Sequence, residues 1–186
     1  MATILTHPAV PLTVSVVLGR GIIPSRLLEF GVLCAILPDV DVAMFKLGVP
    51  YESIFGHRGF THSILFALLI AMAFRYGSKI GRERPWTTFL FLLFATISHG
   101  LLDALTNGGL GVGFFAPFSG QRYFFPAQWI EVSPIGAGFF SARGMAVLRS
   151  ELLAVWLPCV FVALLGIALR VNAKNVRGKS VNDSEK

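Results

Sequence analysis

The chain has 186 residues, of which 54% are hydrophobic and only 14% are charged. Soluble domains carry roughly 25% charged residues, so this composition excludes an ordinary soluble domain and indicates a protein of the membrane. The formal net charge is +6, but the basic residues stand in short runs between apolar segments and do not follow one face. We therefore expect no nucleic-acid partner.

Two short apolar segments open the chain, at residues 8–18 and 27–37. Each is near the lower limit for crossing a hydrocarbon core of about 30 Å, which takes about 20 helical residues. A turn that contains Arg20 and Arg26 joins them. They are predicted to form either a shallow helical hairpin or two short spans where the bilayer is locally thinner.

Three longer apolar segments follow, at residues 60–74, 85–105 and 152–171, and these are predicted to span the membrane. The first is short unless it extends beyond both of its ends. The third contains Pro158, which membrane helices tolerate better than soluble helices do. The predicted fold is therefore all-α: a polytopic membrane helical bundle with three firm spans and two short N-terminal helices.

Residues 106–150 are not predicted to span the membrane, because glycine and proline interrupt them too often for a spanning helix. Aromatic residues are concentrated between Phe114 and Trp129, and such side chains are enriched where a membrane meets water. We predict an interfacial loop that covers one end of the bundle. Residues 1–171 are predicted to form a single membrane-embedded domain, and the polar residues 172–186 a disordered cytoplasmic tail.

Basic residues give the expected orientation, because loops rich in lysine and arginine stay in the cytoplasm. The turn after the first long segment and the tail after the last one are both basic. Their basic residues are Arg75, Lys79, Arg82, Arg84, Arg170, Lys174, Arg177, Lys179 and Lys186. Five crossings then run from an outside N-terminus to a cytoplasmic C-terminus, and residues 106–150 lie outside.

All four histidines and three aspartates stand at or near the outer end of a predicted segment. They are His7, Asp39, Asp41, His57, His62, His99 and Asp103. Charged side chains at membrane depth cost about 2.5–3.5 kcal/mol each and usually mark functional sites. A divalent cation takes imidazole and carboxylate ligands and offsets their charge, so we predict a metal site. A proton or ion pathway and plain polar packing are the alternatives.

Spacing assigns some of the histidines more firmly than others. His99 and Asp103 are four residues apart, so they share one face of a helix and could reach one ion. His57 and His62 are five residues apart, and both share a face only if His57 lies in the loop before the helix. Spacing therefore does not favour either of these two histidines as the ligand.

The sequence also leaves open which roles the two aspartates near the end of the second segment have. One of Asp39 and Asp41 could bind metal while the other acts as a base, or Asp41 could cap a short helix after it. Arg58 could hold substrate phosphate or extend to lipid phosphate. Glu131 fits an interfacial anchor, and Glu151, at the head of the last span, could be an additional ligand.

Three segments resemble the YdjM-like family of bacterial inner-membrane proteins, for which metal-dependent hydrolysis is the expected activity. They read LPDVD at residues 37–41, HRGFTHS at 57–63 and SHGLLD at 98–103. The resemblance extends from His7 to about Pro158 and covers most of the chain.

The order of histidines and aspartates is also similar to part of the site of zinc phospholipase C and P1 nuclease. That similarity implies the ligands His7, His57 or His62, His99 and Asp103, with Asp39 or Asp41 as base or ligand. The chain lacks the second half of that pattern, a further set of histidines with an H-x-x-x-E motif. The resemblance therefore implies one or two divalent ions, with zinc as the first candidate.

Together these observations predict a membrane-bound, metal-dependent hydrolase at the periplasmic face of a bacterial inner membrane. The expected substrate is a phosphoester in a lipid or lipid-linked molecule, with Asp39 or Asp41 as the base and Arg58 on the phosphate. A lipid amide or ester is the nearest alternative, because metal-activated water attacks carbonyl and phosphoryl centres alike. An ion or proton carrier and a non-catalytic, metal-stabilised protein are alternatives from other classes.

Overall fold

The computed structural model describes residues 1–134 and 136–184. Within these residues the fold is all-helical, as predicted, and β pairing is limited to two isolated bridges. The α-helices are α1 (Ala9–Leu18), α2 (Ser25–Ile36), α3 (Ala43–Lys46), α4 (Ile64–Gly77), α5 (Lys79–Glu83), α6 (Pro85–Ala104), α7 (Ala142–Glu151) and α8 (Leu157–Ser184). Short 3-10 turns occupy Leu37–Val42, Phe60–His62 and Gly136–Phe139, and a π-helical turn occupies Leu152–Trp156.

Helix α6 is the centre of the bundle, because α2 and α4 both pack along it. Gly31 allows α2 to approach closely, since a Cβ atom at this position would lie 2.3 Å from the Phe91 ring. The apolar core between these helices consists of Ile23, Leu27, Cys34, Ala71, Phe91 and Leu92. This core fills the bundle between its two ends.

The last helix, α8, packs against α1. A Cβ atom at Gly166 would lie 2.8 Å from the Val17 side chain, so glycine permits this close approach. A second apolar cluster joins the N-terminal segment to α6, the following loop and the π-helical turn. Its buried members are Ala2, Ala9, Leu102, Ile130 and Val155.

Two helical stretches are long and apolar enough to cross a membrane, Pro85–Ala104 and Ala142–Ala173. The prediction of three firm spans is therefore confirmed only in part. The predicted span at 60–74 begins instead with a 3-10 turn, and Ser63 then caps α4 by accepting a hydrogen bond from the Phe66 amide. As a result α4 has 14 residues and, like α1, is apolar but short.

The C-terminal part also differs from the prediction. Helix α7 occupies the end of the predicted loop at 106–150 and continues through the π-helical turn into α8. Residues 172–186 were predicted to be disordered, but α8 continues to Ser184, and residues 185 and 186 lie outside the described part of the chain. Polar composition suggested disorder, whereas the segment contains no proline, and its one alanine, one arginine and three lysines favour a helix.

The loop after α6 folds back over the C-terminal end of that helix. The amides of Phe125 and Ile130 donate to the carbonyls of Ala104 and Leu105, and the Gly113 amide donates to the Arg58 carbonyl. The loop and the turn after it expose large aromatic side chains, namely Phe115, Phe118, Phe125, Trp129 and Phe140. The predicted aromatic loop therefore lies over the end of the bundle that carries the histidines.

Candidate metal centre

The seven histidines and aspartates that the sequence singled out converge at one end of the bundle. His7 precedes α1, Asp39 and Asp41 lie in the turn after α2, His57 and His62 lie in the segment before α4, and His99 and Asp103 lie on α6. Six of them are buried residues, and the remaining side chain, that of Asp39, is 6% exposed. Convergence from distant parts of the chain is thus confirmed.

Four of these residues form one compact group. Asp39, His62, His99 and Asp103 each offer one ligand atom, and these atoms lie within 4.8 Å of one another. Asp39 Oδ1 lies 3.4 Å from His99 Nε2, and Asp103 Oδ2 lies 3.5 Å from His62 Nε2. Two imidazoles with two carboxylates suit zinc and other divalent ions. These buried groups could hold a metal ion.

The two histidines of this group face each other, with their Nε2 atoms 3.0 Å apart. His99 Nδ1 lies 2.7 Å from the Ala35 carbonyl oxygen, and His62 Nδ1 lies 3.2 Å from Asp41 Oδ2. Because these oxygens accept, both Nδ1 atoms donate, and a neutral ring then has its lone pair on Nε2. Two opposed lone pairs repel each other unless a proton or a cation lies between them.

The surrounding carboxylates favour a positive charge at this point. Burial lowers the pKa of His62, but its interactions with Asp103, Asp39 and Asp41 outweigh burial and raise the pKa to about 10. In the metal-free protein, a proton on His62 Nε2 therefore bridges to His99. A divalent cation bound by both rings would take the place of that proton.

His7 adjoins the group from the N-terminal side. Its ring stacks on His99 with centroids 3.7 Å apart, and its Nε2 lies 3.7 Å from Asp39 Oδ2 and 3.9 Å from Asp103 Oδ1. Burial, and then the proximity of His99, lowers the pKa of His7 to about 3, so the ring is neutral and able to bind metal. Both nitrogens of His7 and both oxygens of Asp39 are buried without a hydrogen-bond partner. Because buried polar groups are nearly always paired, these four atoms are available to bind an ion.

Asp41 holds the segment that carries His57 and His62. Its Oδ1 lies 2.6 Å from His57 Nδ1, while Oδ2 accepts hydrogen bonds from the Thr61 hydroxyl and the Arg58 amide. Both oxygens thus contact residues 57–61, whereas a capping role for the helix after Asp41 stays a prediction. Asp41, His57 and His62 also form a second group that could hold an ion.

Arg58 is fully buried beside Asp103. Its Nε donates to Asp103 Oδ2 at 3.0 Å, while Nη1 donates to the Gly108 carbonyl and Nη2 to the Thr106 hydroxyl, each at 2.8 Å. Extension toward lipid phosphate is wrong, because the residue is 0% exposed. These contacts neutralise and orient Asp103. They do not support binding of substrate phosphate by Arg58, which stays a prediction.

The two glutamates are engaged elsewhere. Glu151 accepts hydrogen bonds from the amide and hydroxyl of Thr3 and from the hydroxyl of Thr6. It therefore fastens the N-terminal segment that leads to His7. Glu131 is exposed and accepts a hydrogen bond from the Asn107 amide group.

Sequence spacing did not show how His62 comes so close to His99. Gly100 allows it, because a Cβ atom at this position would lie 3.2 Å from the His62 carbonyl oxygen. The carbonyl that orients His99 belongs to the backbone of Ala35, so the pattern of side chains in the sequence could not predict this contact. The glycine directly after His99 was the one signal in the sequence that pointed to close packing.

The fold and the site define a helical membrane protein with a buried histidine and aspartate cluster that could hold a metal ion. The chain belongs to the YdjM family, because the family described as YdjM inner membrane protein matches residues 1–176. It is 47% identical over 163 residues to the inner membrane protein YbcI of Escherichia coli (strain K12), an alignment that covers 85% of this chain and 92% of the relative.

More distant relatives match about half of the chain. The inner membrane protein YdjM of Escherichia coli (strain K12) is 32% identical over 105 residues, which is 50% of this chain and 51% of the relative. The uncharacterized protein YvsG of Bacillus subtilis (strain 168) is 32% identical over 97 residues, 48% of this chain and 58% of the relative. No solved structure matches significantly. The predicted resemblance to the YdjM family is confirmed, and the similarity to zinc phospholipase C stays a prediction.

Proposed function

We propose that this protein is a membrane-bound hydrolase that uses a divalent metal ion to cleave a phosphoester in a lipid or lipid-linked substrate. The main support is the pair of Nε2 atoms of His62 and His99, 3.0 Å apart and flanked by the carboxylates of Asp39 and Asp103. Hydrogen bonds orient both rings from behind, as the outer partners of metal-binding histidines do.

A divalent ion bound by this group would polarise a phosphoryl oxygen and make a water molecule more acidic. The two carboxylates of this group differ in how many hydrogen bonds already fix them. Asp103 is fixed by Arg58 and by the Ala2 amide, which donates to its Oδ1 at 2.7 Å, so it is suited to be a rigid ligand. Asp39 has no hydrogen-bond partner and could bind the ion with one oxygen and accept a proton with the other. We therefore assign the base to Asp39 and a positioning role to Asp41.

We propose a single ion, with zinc as the first candidate, because imidazole and carboxylate oxygen are common zinc ligands. The second group shares His62 with the first. Its Asp41 and His57 are joined by a hydrogen bond of 2.6 Å, which a second ion would have to break.

We propose that the site faces the periplasm. Arg84 donates to the Gly21 carbonyl at 2.6 Å, and Arg170 lies against Gly19, so basic residues from separate segments gather at one end of the bundle. This end is opposite to the histidines, because α1 (Ala9–Leu18) separates His7, which precedes it, from Gly19, which follows it. Basic ends stay in the cytoplasm, which supports a cytoplasmic C-terminus and a periplasmic site.

The core of the bundle favours hydrolysis over transport. A carrier needs polar groups that continue from the site toward the other face of the membrane. Beyond the cluster, α2, α4 and α6 instead pack Leu27, Ala71, Phe91 and Leu92 against one another. The buried hydroxyls of Thr88 and Thr96 in this part of α6 donate to backbone carbonyls and are thus already paired.

The test is hydrolysis of a panel of phospholipids by zinc-loaded protein, with products separated by chromatography. Asp39→Asn should lower kcat by about 10²–10⁴-fold, because it removes the proton acceptor. Glu131→Gln makes the same chemical change at an exposed carboxylate and should keep full activity. Release of fatty acid with the phosphodiester left intact would assign the lipid ester or amide alternative, and a zinc-loaded protein inactive on all of these lipids would reject the hydrolase.

Metal binding is expected to release a proton, because His62 in the metal-free protein keeps its proton up to about pH 10. Affinity should therefore rise about tenfold per pH unit above neutrality, with about one proton released per ion. Calorimetric titration of zinc in two buffers of different ionisation enthalpy measures that number. Binding that releases no proton would contradict the assignment of His62 as a ligand.

The same raised pKa affects the stability of the metal-free protein. The folded-state pKa of His62 is about 10, against an ordinary value of 6.5. Its protonated ring therefore stabilises the fold fully below about pH 6.5, and this contribution is lost as the pH rises through about 10. As the pH rises above neutrality, metal affinity is thus expected to increase while the stability of the metal-free protein decreases.

A further inference from the structure

The histidine and aspartate cluster is closed to its surroundings. The side chains of His7, His62, His99 and Asp103 are 0% exposed, and that of Asp39 is 6% exposed. An ion or a substrate can therefore reach the cluster only when part of the protein moves. The parts of the chain that surround the cluster differ in how firmly they are held.

Three of these parts hold one another through buried polar contacts. Asp41, in the turn after α2, bonds to His57 and Thr61 in the segment before α4. Arg58, from that same segment, bonds to Asp103 on α6. Movement of any one part would leave a buried charged group without its partner, which is costly. These three parts therefore form the fixed side of the cluster.

The fourth part is the N-terminal segment, residues 1–8, whose Ala2 amide donates to Asp103 at 2.7 Å. The Ala2 side chain is buried, whereas Ile4 and Leu5 are 55% and 60% exposed. An alanine buries too little apolar surface to hold the segment by itself. The segment precedes α1, so its displacement disrupts no helix.

Hydrogen bonds to the buried carboxylate of Glu151 hold this segment instead. The Thr3 amide donates to it, and so do the hydroxyls of Thr3 and Thr6, at 2.6 and 2.8 Å. Hydrogen bonds to an ionised acceptor are stronger than those between neutral groups. Trp156 Nε1 also donates to the Thr6 hydroxyl, at 3.2 Å. Glu151 therefore fixes the segment directly before His7.

Free space lies beside the N-terminal segment. A cavity of about 470 Å³ borders residues 1–5 and also contacts Asp39, Ser133 and Phe139. Both carboxylate oxygens of Asp39 are buried, so the cavity does not reach these ligand atoms. Displacement of the segment would open a path between the cavity and the cluster.

We propose that the N-terminal segment is a gate over the histidine and aspartate cluster, and that Glu151 holds this gate closed. The closed gate places the His7 ring on His99, with centroids 3.7 Å apart. The open gate admits a divalent ion and the head group of the substrate. That passage rests on the proposed function, whereas the opening of the segment does not.

The first measurement is amide hydrogen exchange of the metal-free protein in micelles. Hydrogen-bonded amides exchange when the structure around them opens locally. We expect the hydrogen-bonded amides of residues 3–6 to exchange about tenfold faster than those of residues 58–62, after correction for intrinsic rates. Equal exchange in the two segments would show that they open together and would overturn the inference.

Two variants test the contacts that hold the gate. Glu151→Gln removes the charge and one acceptor oxygen, so exchange of residues 3–6 should be about tenfold faster than in the unchanged protein. Thr3→Val removes one donor with little change in volume and should act in the same direction, which keeps the test valid if Glu151→Gln does not fold. If neither folded variant speeds exchange of residues 3–6, Glu151 does not hold the gate.

Each variant has a matched control. Glu131→Gln is the same change at an exposed carboxylate. Thr13→Val removes a hydroxyl that bonds within α1, to the Ala9 carbonyl. Both controls should leave the exchange of residues 3–6 unchanged. Faster exchange in the controls as well would show a general loss of stability and contradict the gate.

Zinc kinetics separate a gate from a residue that shapes the closed site. An ion that enters and leaves through the same open state does so at rates that rise together when the gate is loosened. Glu151→Gln should therefore speed zinc uptake and zinc removal by a chelator by the same factor, about tenfold, and leave Kd unchanged. A higher Kd with an unchanged rate of uptake would contradict the role of Glu151.

Hydrogen exchange requires neither metal nor turnover, so it distinguishes this inference from the proposed function. Selective exchange of residues 3–6 in a protein that binds no zinc and hydrolyses no lipid would support the gate and reject the hydrolase. Hydrolysis by a protein whose residues 3–6 exchange no faster than residues 58–62 would support the hydrolase and reject the gate.

Discussion

Replacement of His99 by alanine is expected to remove the metal from the purified protein. His99 Nε2 lies 3.0 Å from His62 Nε2 and 3.4 Å from Asp39 Oδ1, so it is central to the group that could hold the ion. Loss of an outer partner of a metal ligand already lowers affinity by about 10–100-fold. Loss of His99 itself should lower affinity by more than about 100-fold, because it removes a ligand and its orienting contact with Ala35 together.

Elemental analysis after dialysis against a weak chelator measures this effect. Ser98→Ala is the matched control, because Ser98 is the neighbouring buried residue of α6 and its hydroxyl bonds to the Ala95 carbonyl of the same helix. The control should keep its metal, and circular dichroism should show the same helix content in both variants. A full complement of metal in the His99→Ala protein would place the ion elsewhere or show that the cluster binds none.

The helices that the sequence predicted well are those with apolar runs bounded by proline, glycine or charge. Predicted segments 8–18, 27–37 and 85–105 correspond to α1, α2 and α6 within two residues at each end. The start of α4 was missed because tertiary contacts decide it. The Gly113 amide, from a loop about fifty residues later, bonds to the Arg58 carbonyl and holds the preceding turn out of the helix.

The members of the candidate site were predictable, but their division of labour was not. Position at segment ends was enough to gather seven ionisable residues, because a membrane restricts where such residues are tolerated. Asp39 and Asp41 are equivalent in the sequence, and only their contacts separate them: one has no hydrogen-bond partner, and the other bonds His57, Thr61 and the Arg58 amide. These partners lie sixteen or more positions away along the chain, so no local pattern encodes them.

Replacement of Arg58 by methionine is expected to destabilise the protein by about 3–5 kcal/mol, because it leaves a buried carboxylate without its cation. Asp103 is 0% exposed, and its Oδ2 accepts a hydrogen bond of 3.0 Å from Arg58 Nε. Methionine is apolar and flexible, so it replaces much of the packing while removing the charge. The carbonyl of Gly108 and the hydroxyl of Thr106 also lose their hydrogen-bond donors.

A double-mutant cycle separates the ion pair from the packing. Asp103→Asn removes the charge that Arg58 neutralises, so the double variant should be more stable than Arg58→Met alone, with a coupling energy of about 1–3 kcal/mol from denaturation in mixed micelles. Arg122→Met is the control, because Arg122 bonds to backbone carbonyls of Tyr51, Ser53 and His57 and should show no coupling with Asp103→Asn. If Arg58→Met instead kept full stability and raised KM for a phospholipid, Arg58 would bind substrate phosphate, as its sequence context first suggested.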